Sequence, residues 1–188
     1  MGERLAVDPA RNSTLYFASR KDGLLRSLDG ASTWTRVSNF PVKGDKDLGL
    51  SFVTFVKESG TPQKGSRTIF VGVASTAEGS NLYRSDDAGK TWKIVAGGPT
   101  NLMPHHGVLS KDGFLVLTYN DGCGPNGIKR GQVWKLEVKS GAWTSITPKV
   151  RNQAGGFGGI SVDSQDPSRM VVTTLDNWGP DEIYRSRD

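Results

Sequence analysis

Three observations predict an all-β fold, a β-propeller of about three and a half four-stranded blades. The apolar residues are only 35% of the 188 and fall in short runs bounded by Gly, Pro, Asn and Asp. Glycine is unusually frequent, with 24 residues where about 13 would be usual at a ~7% share. No stretch carries a helical period of useful length, so the apolar runs read as strands joined by turns. The third observation is a repeat: "SLDGASTW" at Ser27–Trp34 returns as "SDDAGKTW" at Ser85–Trp92, 58 residues later.

A degenerate third copy lies in "VWKLEVKSGAWTSIT", where Trp143 follows Trp92 at a spacing of 51. The terminal "YRSRD" matches "YRSDD", with Ser186 and Asp188 in the places of Ser85 and Asp87. Around these boxes the strands repeat in order. The first unit offers "LAVDPARNSTLYFAS", the second "FVTFVKESG" and "RTIFVGVAS", the third "GVLSKDGFLVLTYN" and the fourth "GISVDSQDPSRMVVTTL". A third strand then enters each box ("GLLRS", "NLYRS", "QVWKL", "EIYRS"), and a fourth leaves three of them ("WTRV", "WKIV", "WTSI"). Four strands per unit at a period near fifty residues is the pattern of propeller blades. The units are expected at 1–42, 43–98, 99–149 and 150–188.

Physical chemistry gives each box residue a structural task. Asp29 and Asp87 follow Ser27 and Ser85, and their carboxylates can accept backbone N–H groups of their own turn, as Asx turns do. Gly89 supplies a positive φ that a side chain resists, and Ala31 in the matching position is expected to strain or reshape the first turn. Thr91 closes the second box, and the tryptophans Trp34 and Trp92 can plug apolar surface between blades while each indole N–H finds a partner.

The charge balance, 24 basic against 19 acidic residues for a net +5, is scattered rather than gathered on one stripe, so a nucleic-acid partner is not expected. No apolar run approaches a membrane span, and "GERLAVDP" after Met1 is not a signal peptide, which sets aside a membrane partner. The single Cys123, in "NDGCGPNG", excludes an intramolecular disulfide and a cysteine metal cluster. "GGFGGI" at 155–160 lacks the strand–turn–helix setting of a dinucleotide site, so its glycines are expected to permit close backbone approach.

The box alone is the Asp-box, or bacterial neuraminidase repeat, shared by sialidases, sortilin-like receptors and several glycoside hydrolases. The segments between boxes are more specific. "PHHGVL" and "FGGISVD…DNWGPDEIYRS", in that order and with the rest of the chain, resemble glycoside hydrolase family 74, the xyloglucanases. That resemblance implies two seven-bladed propellers facing each other across a cleft for xylose-branched β-1,4-glucan. It implies an extracellular parent, inverting hydrolysis by two aspartates, and no metal or organic cofactor. The catalytic pair is expected outside this chain, so no catalytic residue is assigned, and the second propeller of the parent is the expected partner domain.

The resemblance also implies cleft positions. A tandem Trp-Trp follows a Leu-Asp strand end in the family; here "LDNWGPDE" keeps Trp178 and has Gly179 in the second place. One aromatic platform for a sugar face is retained and one is missing, which implies a looser hold and lower processivity. His105 and His106 of "MPHHG" match a cleft-lining loop; adjacent on a strand, they are expected to face opposite ways and not to share a metal. Asp121 is placed in a loop at a blade rim, where a glycan hydrogen bond or a plain turn are both open. The alternative to an enzyme fragment is a non-catalytic repeat propeller that binds a protein or glycan partner. The cysteine-rich modules of sortilin-type receptors and the arginine triad of sialidases are not found.

Overall fold

The computed structural model describes residues 2–44, 49–76, 81–124, 126–150, 155–176 and 180–186. Fifteen strands form four antiparallel sheets, each in simple up-and-down order, and the only helical element described is a 3₁₀ turn at Lys57–Ser59. The first sheet holds β1 (Leu5–Val7), β2 (Leu15–Ala18), β3 (Leu24–Ser27) and β4 (Thr35–Arg36). The second holds β5 (Leu50–Val56), β6 (Thr68–Val73), β7 (Leu82–Ser85) and β8 (Lys93–Ile94). The third holds β9 (Met103–Leu109), β10 (Phe114–Asn120), β11 (Gly131–Glu137) and β12 (Trp143–Ser145). The fourth has three strands, β13 (Gly156–Val162), β14 (Met170–Leu175) and β15 (Ile183–Ser186). These are propeller blades, three complete and one of three strands.

The chain divides into two compact units, one built from the first two sheets and the other from Gly97 onward together with Gly2. In the first, the core gathers Tyr16, Leu24, Phe40, Leu50, Phe55 and Ile69 from both sheets and the segment after β4. Tyr16 and Phe55 meet edge to face at 5.6 Å. Asp8, buried after β1, accepts the Ser66 N–H at 2.7 Å and the Ser66 hydroxyl at 2.6 Å, tying the first sheet to the approach of β6. Each fully buried aromatic or aliphatic side chain of this kind contributes about 1.5–3 kcal/mol.

In the second unit, Val116, Val133, Phe157, Ile160 and Val172 form the core between the third and fourth sheets. Asn120, at the end of β10, is fully buried and zips the two sheets together. Its Nδ2 donates to the Phe157 carbonyl at 2.8 Å, and its Oδ1 accepts the Phe157 N–H at 2.8 Å. Thr118 adds a bond from its hydroxyl to the Gly158 carbonyl at 3.0 Å. This close approach explains two glycines: a Cβ on Gly156 would overlap Asn120 Oδ1, and one on Gly131 would sit 2.6 Å from it.

Candidate functional site

Antiparallel pairing sends two kinds of loop to opposite ends of each sheet. The hairpins that follow the third strand, where the Asp boxes lie, share an end with the β1–β2, β5–β6 and β9–β10 turns. The other end collects the start of each first strand and the loop between the second and third strands. His105 and His106 near the start of β9, Asp121 after β10 and Asp176 after β14 therefore fall at that second end of their sheets. Within the second unit these ends are bonded to one another, since the Ile128 N–H donates to Asp176 Oδ2 at 2.7 Å. Asp176 holds a positive φ of 59° at the end of β14. Trp178, and with it Gly179, lies outside the described residues, as does Asp188.

The first strand of three sheets is bulged near this end, a feature the sequence reading does not contain. The register shifts between Leu50 and Phe52 in β5, opposite Thr118 and Tyr119 in β9, and between Phe157 and Ile160 in β13. In β9 the pairs run Thr118 with His106 and Tyr119 with Pro104, so His105 is the extra residue. A bulge breaks the two-residue alternation of side chains, and the expectation that adjacent histidines face opposite ways does not apply there. The traceable signal was positional: Ser51, His105 and the pair Gly158–Gly159 occupy the same place in successive units.

His105 is buried and His106 is half-buried. Burial foremost, with His106 beside it, holds the His105 imidazole neutral and lowers its pKa from 6.5 to about 4. The Gly2 N–H donates to the His105 carbonyl at 2.6 Å, and Gly2 lies against His106, where a Cβ would come within 3.1 Å of Nδ1. Asp121 is engaged by its own loop. One carboxylate oxygen accepts the Lys129 and Arg130 N–H groups at 2.9 and 3.2 Å, and the other faces Arg130 Nε at 3.7 Å. The carboxylate thereby fixes both ends of the 121–130 loop, which carries the exposed Cys123.

At the opposite end the two boxes have nearly the same geometry. The Ser27 hydroxyl donates to Asp29 Oδ1 at 2.8 Å and accepts the Ala31 N–H at 2.9 Å; Thr33 N–H reaches Asp29 Oδ1 at 2.9 Å. The Ser85 hydroxyl donates to Asp87 Oδ1 at 2.8 Å and accepts the Gly89 N–H at 2.8 Å. Asp87 also accepts from the N–H groups of Lys90 and Thr91 and from the Thr91 hydroxyl at 2.6 Å. The threonine bonds, hydroxyl first, pull both carboxyls from 3.8 down to about 2. With its oxygens committed to the turn, neither aspartate is set up to serve as an acid or a base.

One expectation about the boxes is met and another needs correction. Ala31 strains the first turn without reshaping it: its φ is 76°, and Gly30 and Ala31, at 71° and 76°, follow the path of Ala88 and Gly89 at 61° and 81°. The two boxes simply exchange which left-handed position carries the methyl group. The Trp92 indole N–H is buried and has no hydrogen-bond partner among the described residues. Its ring is held by apolar contact instead, edge-on to Phe40 at 5.0 Å. Trp34 is 37% exposed.

No family model matches the chain. All 188 residues align with a xyloglucanase of Paenibacillus sp at 46% identity, covering 20% of that protein. They align with a xyloglucanase of Acetivibrio thermocellus at 45% identity, covering 24% of it. The fold superposes over its full length on the crystal structure of the family 74 xyloglucanase from Xanthomonas campestris, with a TM-score of 0.88 and 35% identity over 28% of that chain. The chain thus spans about a fifth to a quarter of the curated relatives it matches. Continuous similarity over the whole chain, with a matching fold, has a direct meaning: these 188 residues belong to glycoside hydrolase family 74 and form part of a propeller in it.

Proposed function

We propose that the parent of this chain cleaves the β-1,4-glucan backbone of xyloglucan outside the cell. The observation that carries this reading is the unbroken alignment of all 188 residues with xyloglucanases at 45–46% identity. The chemistry is inversion at the anomeric carbon by two carboxyl groups. One protonates the leaving oxygen, while the other takes a proton from a water held between them, which requires a separation of about 6.5–9.5 Å. The resemblance to family 74 implies that this pair belongs to parts of the parent beyond these residues, one of them on a second propeller across the cleft; the box aspartates are committed to their own turns.

This chain supplies part of the cleft wall, in blades bounded near 42, 98 and 149. His106 and Trp178 contact the glucan. His105, neutral in its bulge, positions His106, and Asp121 sets the rim loop. An indole offers a flat apolar face to the C–H face of a sugar ring at little rotamer cost. With Gly179 as its neighbour, Trp178 is a single platform, so the glucan is released after fewer cuts.

The test is to clone the extended reading frame and compare reducing-end release from xyloglucan and from unbranched β-1,4-glucan. Preferential cleavage of xyloglucan, with product released first as the α-anomer, is expected; equal rates on both, or a β-anomer, would contradict the proposal. In that enzyme Trp178→Ala should raise KM on xyloglucan roughly tenfold, a loss of about 1.4 kcal/mol. Gly179→Trp should increase the number of cuts per binding event, read from the ratio of soluble to insoluble reducing ends.

A further inference from the structure

Four segments of the second unit converge on one cavity, at the end of the sheets where His106 and Asp121 lie. They are residues 100–102 ahead of β9, residues 129–132 where the rim loop enters β11, residues 147–150 after β12, and the start of β13. The cavity measures about 540 Å³, inside the ~300–1,000 Å³ range of small-molecule pockets. Both of its sides are built from the third and fourth sheets. These sheets approach closely beneath it, since a Cβ on Gly131 would lie 2.6 Å from the Gly156 Cα.

The lining has one sign of charge. Lys129, Arg130 and Lys149 face the cavity, and among the described residues no carboxylate does. Neither lysine has an ion-pair partner among the described residues, and Arg130 meets Asp121 through Nε at 3.7 Å. The backbone beneath each cation is fixed from behind. Asp121 holds the Lys129 and Arg130 N–H groups, and Asp176 holds that of Ile128. Ahead of Lys149, the Thr147 hydroxyl bonds both backbone groups of Val133, at 3.0 and 3.2 Å. A concave wall of one sign focuses its field on an incoming counter-charge, and a fixed wall lowers the ordering cost of binding. Between the cations the lining is apolar, with Leu102, Pro148 and Phe157. The matching ligand therefore needs an anionic group and a flat C–H face together. A hexuronate has both: a carboxylate for charge-assisted bonds to ammonium and guanidinium groups, and ring C–H groups for the apolar patch.

We propose that this cavity binds a hexuronate unit of an acidic glycan, with its carboxylate taken by Lys129, Arg130 and Lys149 and its ring laid against the apolar patch. The choice of a sugar rests on the cleft reading given above; the choice of an anion rests on the cavity alone.

The probe is sodium glucuronate, titrated into the isotope-labelled 188-residue chain at low salt while backbone amide resonances are followed by NMR. Glucose supplies the ring without the charge, and acetate the charge without the ring. Saturable shifts with glucuronate are expected at residues 100–102, 128–132, 147–150 and 156–157, with Kd weaker by at least about tenfold for glucose and for acetate. Lys129 and Lys149 are exposed, so Lys129→Gln and Lys149→Gln should leave Tm unchanged and each weaken glucuronate binding about threefold. Raising NaCl from about 50 to about 500 mM should weaken it further. Absence of saturable shifts with glucuronate would overturn the proposal, as would shifts centred elsewhere or undiminished binding by both lysine variants. Glucose binding as tightly as glucuronate would remove the role of the anion, and acetate binding as tightly would remove that of the sugar; either overturns the assignment. Nothing is cleaved in this titration, so its failure is distinct from failure of the xyloglucan assay.

Discussion

At position 89 a methyl group would overlap the Tyr16 hydroxyl, in a backbone conformation with φ of 81°. At position 31, with φ of 76°, the native residue already carries that methyl. Since the left-handed region costs a non-glycine residue roughly 1 kcal/mol, the two boxes should respond in opposite directions. Gly89→Ala is expected to destabilise by about 1–3 kcal/mol, and Ala31→Gly to be neutral or stabilising by a few tenths to about 1 kcal/mol; denaturant unfolding of both variants checks the contrast. The box carboxylates give a pH signature. With a folded pKa near 2 against 3.8 unfolded, Asp87 contributes stability that is fully present above pH 4 and lost as pH falls toward 2. Asp87→Asn should lower Tm at pH 7 and flatten its decline between pH 4 and 2. His105 acts over a different window. Its folded pKa of about 4 lies below 6.5, so the unfolded chain takes up the proton first and stability falls as pH drops from 6.5 toward 4. An NMR titration should show that imidazole neutral at pH 5.5.

The strands were readable because each is an apolar run closed by Gly, Asp-Pro or Asx residues, repeated in the same order at one period. The Asx logic also located the box hairpins, since aspartate followed by glycine or alanine and then threonine offers a carboxylate several local donors at once. The bulges were not readable in the same way. An inserted residue leaves the local composition unchanged and shows only when the first strands of successive units are set side by side. Asn120 was equally hidden, because an asparagine ending an apolar run reads as a turn residue, while its buried amide in fact bonds both backbone groups of Phe157 across sheets. Asn120→Ala should cost about 2–4 kcal/mol, as it leaves a buried N–H and a buried carbonyl without partners. Asn120→Asp, which keeps the acceptor and loses the donor, should not restore stability; thermal unfolding of the two variants is the check. Of the residues proposed for the cleft, His105 and Asp121 are placed by features that spacing does not encode, namely a bulge and a loop closed on its own carboxylate.

On the scale of the whole chain, the up-and-down order of each sheet fixes which end of that sheet a given loop reaches. In each of the first two sheets the Asp box lies at the end that also carries the turn between the first and second strands. In the second unit, His105, His106 and Asp121 lie at the end of their sheet away from the β9–β10 turn. The central claim, that these residues are a working part of a xyloglucan-cleaving propeller, is tested most directly by exchange. The 188 residues would replace the segment they match in the Paenibacillus xyloglucanase, and initial rates on xyloglucan and on unbranched β-1,4-glucan would be measured for the exchanged enzyme. Retained cleavage with preference for xyloglucan is the expected result; a chimera that melts cooperatively yet fails to cleave xyloglucan, or loses the preference, would contradict the claim.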